Sequence, residues 1–449
     1  MLKHIEKPDI SQIVSTEKFG QLLASPTDDV RDIVRRSFSP YVHWTEIKYW
    51  TMPKEVSNLE MWALIKVLRT NILDRKESAV TDKKGKNFSW LTPQGVEEFL
   101  HQVDMKLGGN LFVFGGHVDD KFRHRLLTRG LMEEAIASSQ LEGAHTTRKR
   151  AKEIILEKKK PRTKDEQMIV NNYEAMLKIE GELKDIPLSE DILFDVHRIL
   201  TKNTDIEASS IGRYRNDTDD IVIGDTEGRD EIYHIPPNED MFKKEIKRFL
   251  AYANDEQEDA FFVHPVIKAI ILHFWLAYLH PFVDGNGRLA RAIFYWYLLK
   301  HEYWAFGFLP LSGVIKASPA QYRDAYLYTE QDDNDLTYFI EYNIKKITQA
   351  IKEFEEYAER KRKESVVMSG IARDNHNIND RQIQLLRYFY KNQGATTSAS
   401  MYKNIYNVSY VTAGKDLKEL EHKGFLISKK KGRSINYYST EKITELFNA

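Results

Sequence analysis

His280-Pro281-Phe282-Val283-Asp284-Gly285-Asn286-Gly287-Arg288-Leu289-Ala290-Arg291 is the run on which the reading of this chain turns. Pro265 suits the first turn of an apolar helix, and that helix runs out at Leu279. Proline cannot continue a helical hydrogen-bond ladder, so His280 and Pro281 open a loop. Gly285-Asn286-Gly287 supplies a turn able to fold closely around a ligand, with Asn286 or Gly287 starting the next helix. The backbone N–H groups left free at that helix start attract an anion. Arg288 and Arg291 are three apart and are expected on one face. Two guanidinium forks beside a helix N-terminus suit a polyphosphate. Asp284 would repel phosphate unless a metal intervened, and Mg2+ bridging its carboxylate to phosphate oxygens resolves that conflict. His280 is the one general-base candidate in the group at physiological pH. Phe282 reads as the core anchor of the loop.

Outward from this run, helical patterns are expected at Asp119 to Glu142, Glu166 to Leu183, Ser189 to Leu200, Glu239 to Ala253, Pro265 to Leu279, Gly287 to Lys300, Pro319 to Glu330 and Leu336 to Lys363. Gly143 follows the first of these, where a helix C-terminus favours glycine. Arg148 to Lys164 is dense in lysine and arginine and reads as a solvated face and loop. Gly212-Arg213-Tyr214-Arg215 precedes two short apolar strands, Ile221-Val222-Ile223 and Ile232-Tyr233-His234-Ile235. With a turn at Gly224 to Asp230 they form a hairpin. His264 and His273 read as a cap and a core residue. The first 115 residues mix short helical patterns with turns, among them Leu59 to Leu73, an aromatic core cluster beginning at Tyr41 and an exposed loop at Asp82 to Asn87.

The composition narrows the classes. The chain has 449 residues, 42% hydrophobic and 30% charged, with a formal net charge of −1. That balance places any nucleic-acid or membrane role in a local patch. Without cysteine, disulfides, cysteine-metal sites and thiol catalysis are excluded. The opening MLKHIEKPDI lacks the apolar core of a signal peptide. Phe261 to Leu279 is interrupted by His264, Pro265, Lys268 and His273, so it reads as a buried helix rather than a membrane span. A cytoplasmic location is expected. No P-loop or kinase-type glycine loop occurs.

The tail reads as a separate module: three short helices at Asp380 to Asn392, Ser398 to Tyr406 and Ser409 to Lys423, then Phe425 to Ser428 and Ile435 to Tyr438 around a Lys429-Lys430-Lys431-Gly432-Arg433 turn. Residues 375–449 hold twelve Lys or Arg against six Asp or Glu. This arrangement resembles a winged helix-turn-helix domain, which implies possible DNA contact by the third helix and the basic wing. Asp416, Glu419 and Glu421 on that helix would face DNA poorly, and winged helices also serve protein contacts.

Read as H-P-F-x-[DE]-G-N-G-R-x-x-R, the run at 280–291 resembles the signature of Fic-domain proteins, and the likeness covers roughly residues 116–355. It implies a mainly α fold: a helical N-terminal region (1–115), a Fic-type helical core (116–358) with an inhibitory helix (119–143) and a β-hairpin flap (221–235), a linker (359–374) and the winged helix (375–449). It implies protein adenylyltransfer, a nucleotidyltransferase reaction. His280 would deprotonate a Ser, Thr or Tyr hydroxyl on a target protein, the oxygen would attack the α-phosphate of ATP, and pyrophosphate would leave. Asp284 looks like the Mg2+ ligand. Gly285, Asn286 and Gly287 would cradle the phosphates, with Arg288 and Arg291 on the outer ones. The flap, through Ile223 and Gly224, would cover the nucleotide and hold the target by strand addition. Tyr322 sits where the family often has an aromatic near the adenine, while Arg323 departs from a second tyrosine seen in some relatives. Ser138-Ser139-Gln140-Leu141-Glu142-Gly143 fits the family's inhibitory [ST]-x-x-x-E-[GN]. Glu142 would then pair with Arg291, block the γ-phosphate position and keep activity low. Two other readings stay open: removal of AMP from a modified protein, and a DNA-binding regulator with a silent or self-modifying core. A homodimer, with Trp296 and Tyr297 at its contact, is a further expectation.

Overall fold

The structure, a computed structural model, describes residues 2–71, 75–92, 95–108, 120–224, 231–256, 261–375, 378–392, 394–431 and 434–448. It is mainly α-helical. Four short helices, α1 (Ser11–Val14), α2 (Glu17–Ala24), α3 (Asp28–Phe38) and α4 (Trp44–Ile47), precede α5 (Asn58–Asn71). Thr16 and Thr27 cap α2 and α3, their side-chain oxygens accepting from Phe19 and Val30 N–H. Phe19, Ile33, Trp44, Met61 and Trp62 pack a core of their own. Lys66 on α5 ties this region to Asp332 at 2.9 Å, with both side chains buried.

A hairpin not anticipated from the sequence follows, β1 (Lys76–Thr81) antiparallel to β2 (Asn87–Trp90). Only Val80, Phe88 and Trp90 provide large apolar side chains to its buried face, too few to mark two strands by alternation. Its turn is the loop expected at 82–87, closed by Asp82 Oδ1 accepting from Lys84 and Lys86 N–H. After α6 (Val96–Leu107), residues 109–119 lie outside the described residues, and with them the expected 115/116 boundary and Asp119.

The centre is built from α7 (Asp120–Leu141), α8 (Arg148–Glu157), α9 (Lys164–Lys178), which runs into one π turn at Ile179–Leu183, and α10 (Glu190–Thr201). β3 (Ile223–Gly224) pairs antiparallel with β4 (Ile232–His234), shorter strands than expected, and the turn at 225–230 lies outside the described residues. Then come α11 (Glu239–Ala253), α12 (Pro265–Leu279), α13 (Asn286–Lys300), α14 (Leu311–Lys316), α15 (Pro319–Gln331) and α16 (Thr337–Asn375). A helix apolar on every side must be buried, and in α12 every residue from Val266 to Leu276 is. Each large apolar side chain so buried contributes about 1.5–3 kcal/mol. Thus α12 and its partner α13 form a rigid base for the loop between them. Trp296 and Tyr297 are 1% and 2% exposed. Trp296 donates to Leu183 O and Tyr297 to Asp255, so they belong to this core and not to a subunit contact.

The stretch expected as a linker, 359–374, is instead helical backbone, the last part of α16. Its charged run does not end the helix, because Glu, Lys and Arg are good helix formers. The tail comprises α17 (Asp380–Lys391), β5 (Thr396–Ser398), α18 (Ala399–Tyr406), α19 (Tyr410–His422), β6 (Leu426–Lys431), β7 (Ser434–Ser439) and α20 (Lys442–Asn448). Its sheet has the order β5-β7-β6, all antiparallel. This order is consistent with the winged-helix resemblance and adds β5 and α20. The wing tip, Gly432-Arg433, lies outside the described residues. The unit has its own core around Leu386, Phe389, Tyr402 and Leu417. It is also docked: Met401 and Ile405 of α18 pack with Met132 and Ile136 of α7 and Ile155 of α8. Asn404 Nδ2 donates to Leu156 O at 2.7 Å. No helix among the described residues is long and apolar enough to cross a membrane.

Candidate active site

The loop between α12 and α13 is held open by its own polar groups. Asn286 Oδ1 accepts from Phe282 N–H at 2.9 Å and its Nδ2 donates to Phe282 O at 2.8 Å. Phe282 is fully buried and stacks on the His197 ring at 4.0 Å. Gly285 takes φ +84, the left-handed region that glycine enters without penalty. The first intrahelical bond of α13 runs from Leu289 N–H to Gly285 O. The amides of Asn286, Gly287 and Arg288 therefore have no acceptor within the helix. The Asn286 side chain serves the loop, so only its backbone is available to a phosphate.

His280 ends α12 with φ +47. Its Nδ1 faces Ala277 O at 3.4 Å. A carbonyl can only accept, so this contact places the hydrogen on Nδ1 and leaves the Nε2 lone pair free to take a proton. Burial pushes the imidazole down to about 3, helped by His234. It is neutral, and so able to accept a proton, throughout the physiological range.

The two arginines part company. Arg288 is fully buried; it donates to Leu200 O at 2.9 Å and to Asp284 Oδ2 at 3.0 Å. It braces the loop from α10, its guanidinium engaged by Leu200 and Asp284, and does not share a face with Arg291 as the spacing led one to expect. A spacing of three allows a shared face, but the carbonyl of Leu200 captures one side chain. Arg291 turns to α7. Its Nε donates to Ser138 Oγ at 2.9 Å, and its Nη2 to Ser138 O at 3.0 Å and Glu142 Oε1 at 2.8 Å. Burial, the largest single influence, works against its charge, but Glu142 together with Tyr322 and Glu134 raises the guanidinium pKa. Just beyond Glu142, Gly143 takes φ +92 and turns the chain out of α7.

Glu142 also lies over the start of α13. A Cβ built on Gly287 would meet the Glu142 Cδ at 2.9 Å. A carboxylate thus lies beside the first turn of α13, close to the end of the helix that favours negative charge.

Asp284 is half-exposed, its Oδ1 accepting from Gly285 N–H at 2.6 Å. Among the described residues no group of three His, Asp or Glu is placed to hold a metal. One hard carboxylate fits Mg2+ when phosphate oxygens and water complete the octahedron.

Tyr322 is buried enough to raise its pKa, and its hydroxyl meets His273 Nε2 at 2.8 Å and Tyr326 at 3.2 Å. Arg323 lies over Tyr233 of β4 at 5.3 Å. Ile223 pairs with His234 and Gly224 with Ile232. His234 joins this hairpin to the loop region, through Nε2 to Tyr278 O at 2.8 Å and Nδ1 to Glu330 Oε2 at 2.7 Å. On its other side β4 receives Lys3 N–H at Ile232 O, 2.7 Å. Three residues that were not among the expected site residues hold the site together: His234, His197 and Arg215. His197 Nδ1 accepts from Gly212 N–H and its Nε2 meets Asp284 O at 3.0 Å. Burial pushes its imidazole down to about 4. The one available signal for Arg215 was the Gly212-Arg213-Tyr214-Arg215 run.

Residues 187–298 match the model of the Fic/DOC family. The chain carries a Fic/DOC family domain. It is similar to the protein adenylyltransferase Fic of Drosophila mojavensis, 36% identical over 87 residues, and to that of Culex quinquefasciatus, 37% identical over 87 residues. Each alignment covers 19% of this chain and 17% of the relative. This chain thus spans less than a fifth of the length of the curated relatives it matches. Among solved structures it resembles a Fic family protein from Desulfovibrio desulfuricans, with 19% identity, TM-score 0.47, and coverage of 78% of this chain and 97% of that one. It also resembles Fic-1 from C. elegans, with 18% identity, TM-score 0.44, and coverage of 58% and 71%.

Proposed function

We propose that this protein transfers AMP from ATP to a Ser, Thr or Tyr hydroxyl of a target protein, and that Glu142 holds this activity low. The observation that carries the reading is Glu142 paired with Arg291 and seated beside Gly287, in the first turn of the helix that would receive phosphate. In this reading His280 Nε2 takes the hydroxyl proton while the oxygen attacks the α-phosphorus. The bond to the bridging oxygen breaks and pyrophosphate leaves. Backbone N–H groups of Asn286, Gly287 and Arg288 stabilise the charge that develops on the phosphates. Arg291, released from Glu142, would hold an outer phosphate, and Asp284 would hold Mg2+, which neutralises phosphate charge when bound. Ile223 and Gly224 would cover the nucleotide, and Tyr322 would line the adenine side. Leu2 and Lys3 already bridge β4, which favours β3 as the edge for an added target strand.

Transfer of α-labelled ATP to protein, with Mg2+, tests this in wild type, Glu142→Gly and Glu142→Gly with His280→Ala. Label is expected with the single change and lost with the double. No label from any of the three, with ATP bound, overturns autonomous self-modification. If no added target protein accepts label either, adenylyl transfer is withdrawn and removal of AMP takes its place.

A second reading concerns the tail, where contact with duplex DNA is favoured by the direction of its acidic residues. Asp416 turns inward to Arg381 and Tyr402, Glu419 is taken by Gln382 and Lys423, and Glu421 accepts from Ser428 N–H. The outer face of α19 and the wing is left with Tyr410, Val411, Lys415, Lys418, Lys429 and Lys430 exposed. Binding to random duplex DNA that weakens with salt, and is lost in Lys415→Glu with Lys418→Glu, would support this reading. Equal binding by the two proteins would sink it.

A further inference from the structure

Arg215 lies just before the hairpin segment and is 5% exposed. Its guanidinium reaches three carbonyls: Nε donates to His280 O at 2.7 Å, and Nη2 to Leu279 O at 3.3 Å and to Pro237 O. Its backbone N–H donates to Pro281 O at 2.9 Å, and its Cζ lies 4.7 Å from the Phe242 ring centre. Leu279 and His280 close α12, where the last carbonyls lack partners within the helix and favour a cation. His280 holds φ +47, a conformation that costs a non-glycine residue on the order of 1 kcal/mol and persists only where its surroundings enforce it. Pro237 follows the hairpin as Arg215 precedes it, so one planar group closes the hairpin base and grips the His280 backbone.

We propose that Arg215 is the positioning residue of this site: it holds His280 in its left-handed conformation and staples the hairpin base to it, so that proton acceptor and flap keep one fixed relation. The proposal rests on the adenylyl-transfer reading for its kinetic consequence, but not for its structural one. Lysine cannot replace this fork, because a compact ammonium lacks the fixed, separated donors with which the guanidinium reaches several carbonyls at once.

The test compares Arg215, Arg215→Lys and Arg215→Gln, each in the Glu142→Gly background. Transfer from α-labelled ATP gives kcat and KM. The Cα signal of His280, in protein carrying 13C-labelled histidine and assigned by its loss in His280→Ala, reports the left-handed backbone. Expected for Arg215→Gln is a fall in kcat of about 100-fold, ~2.7 kcal/mol, with KM for ATP within about twofold and a displaced Cα signal. Arg215→Lys is expected to recover only part of kcat, and it carries the test if the glutamine variant does not fold. Unchanged kcat with an unmoved Cα signal overturns the proposal, as does a loss of rate that merely follows the folded fraction. If the Glu142→Gly parent transfers no label, the adenylyl-transfer reading fails while the Cα signal still decides the role of Arg215.

Discussion

Glu142 Oε1 accepts from Arg291 Nη2 at 2.8 Å, and its carboxyl carbon lies within 3 Å of where a Gly287 side chain would begin. One carboxylate thus holds Arg291 of α13 and lies beside the first turn of the same helix. Removing it is expected to raise label transfer by about tenfold or more, ~1.4 kcal/mol in the barrier. The same contact makes a stability prediction. Gly287→Ala forces the Glu142 carboxylate aside and should cost about 1–3 kcal/mol in wild type, but much less in Glu142→Gly. Urea unfolding of the four proteins measures the coupling, and equal costs in the two backgrounds would place the strain elsewhere.

The pH response should come from histidines that stay neutral when folded. Burial pushes His43 and His197 down to about 4 and His273 to about 3, against 6.5 for the free side chain. Between those limits the unfolded chain binds protons that the folded one does not, so stability rises with pH across the window. It is fully present above about 6.5 and declines as pH falls toward 4, by on the order of 2 kcal/mol per histidine at pH 5. Thermal midpoints at pH 7, 6 and 5 should fall in that order, and a flat series would contradict the burial of these rings. By the same logic His280, held near 3, should add no acid limb near pH 6.5 to kcat/KM.

Asn286 is expected to act through the loop. Asn286→Ala would leave the buried N–H and C=O of Phe282 without partners, a loss of about 2–3 kcal/mol. Chemical denaturation should register it together with loss of transfer. Loss of transfer at full stability would instead point to direct ligand contact by the side chain.

Docking of the tail should matter to α7. Met401→Asp sets a charge in the apolar seam with Met132 and Ile136, a substitution expected to cost about 2–4 kcal/mol locally. Ser138 and the approach to Glu142 lie on the next turns of that helix. Amide exchange across residues 132–141 is expected to quicken, with label transfer rising alongside. Unaltered exchange in α7 would mean that the tail rides on the core without steadying the inhibitory helix.

The central helices were legible because their ends carry strong local signals. Pro265 after a capping His264, Pro281 after His280 and glycine at 285 each impose a backbone constraint on their own. The start of α12 and the ends of α12 and α13 accordingly fall at the expected residues, and α13 begins at Asn286, one of its two expected starts. The β1–β2 hairpin was not legible, since its buried face is completed by Phe274 and Tyr278 from a distant helix. Nor was the continuation of α16, since a charged run suits a helix as well as a linker.

By itself the sequence determined the helix–loop–helix around 280–291, the mainly α class, the general-base candidate His280 and the pairing candidate Glu142, because these follow from local backbone limits and a short motif. Only the tertiary structure decided which arginine braces the loop and which meets Glu142, that Asn286 serves the loop, and that Arg215 and His197 brace it. Those outcomes depend on which carbonyl each polar side chain meets, Leu200, Phe282, His280 or Asp284. Spacing along a chain does not contain that information until burial brings the partners together and leaves no water to compete.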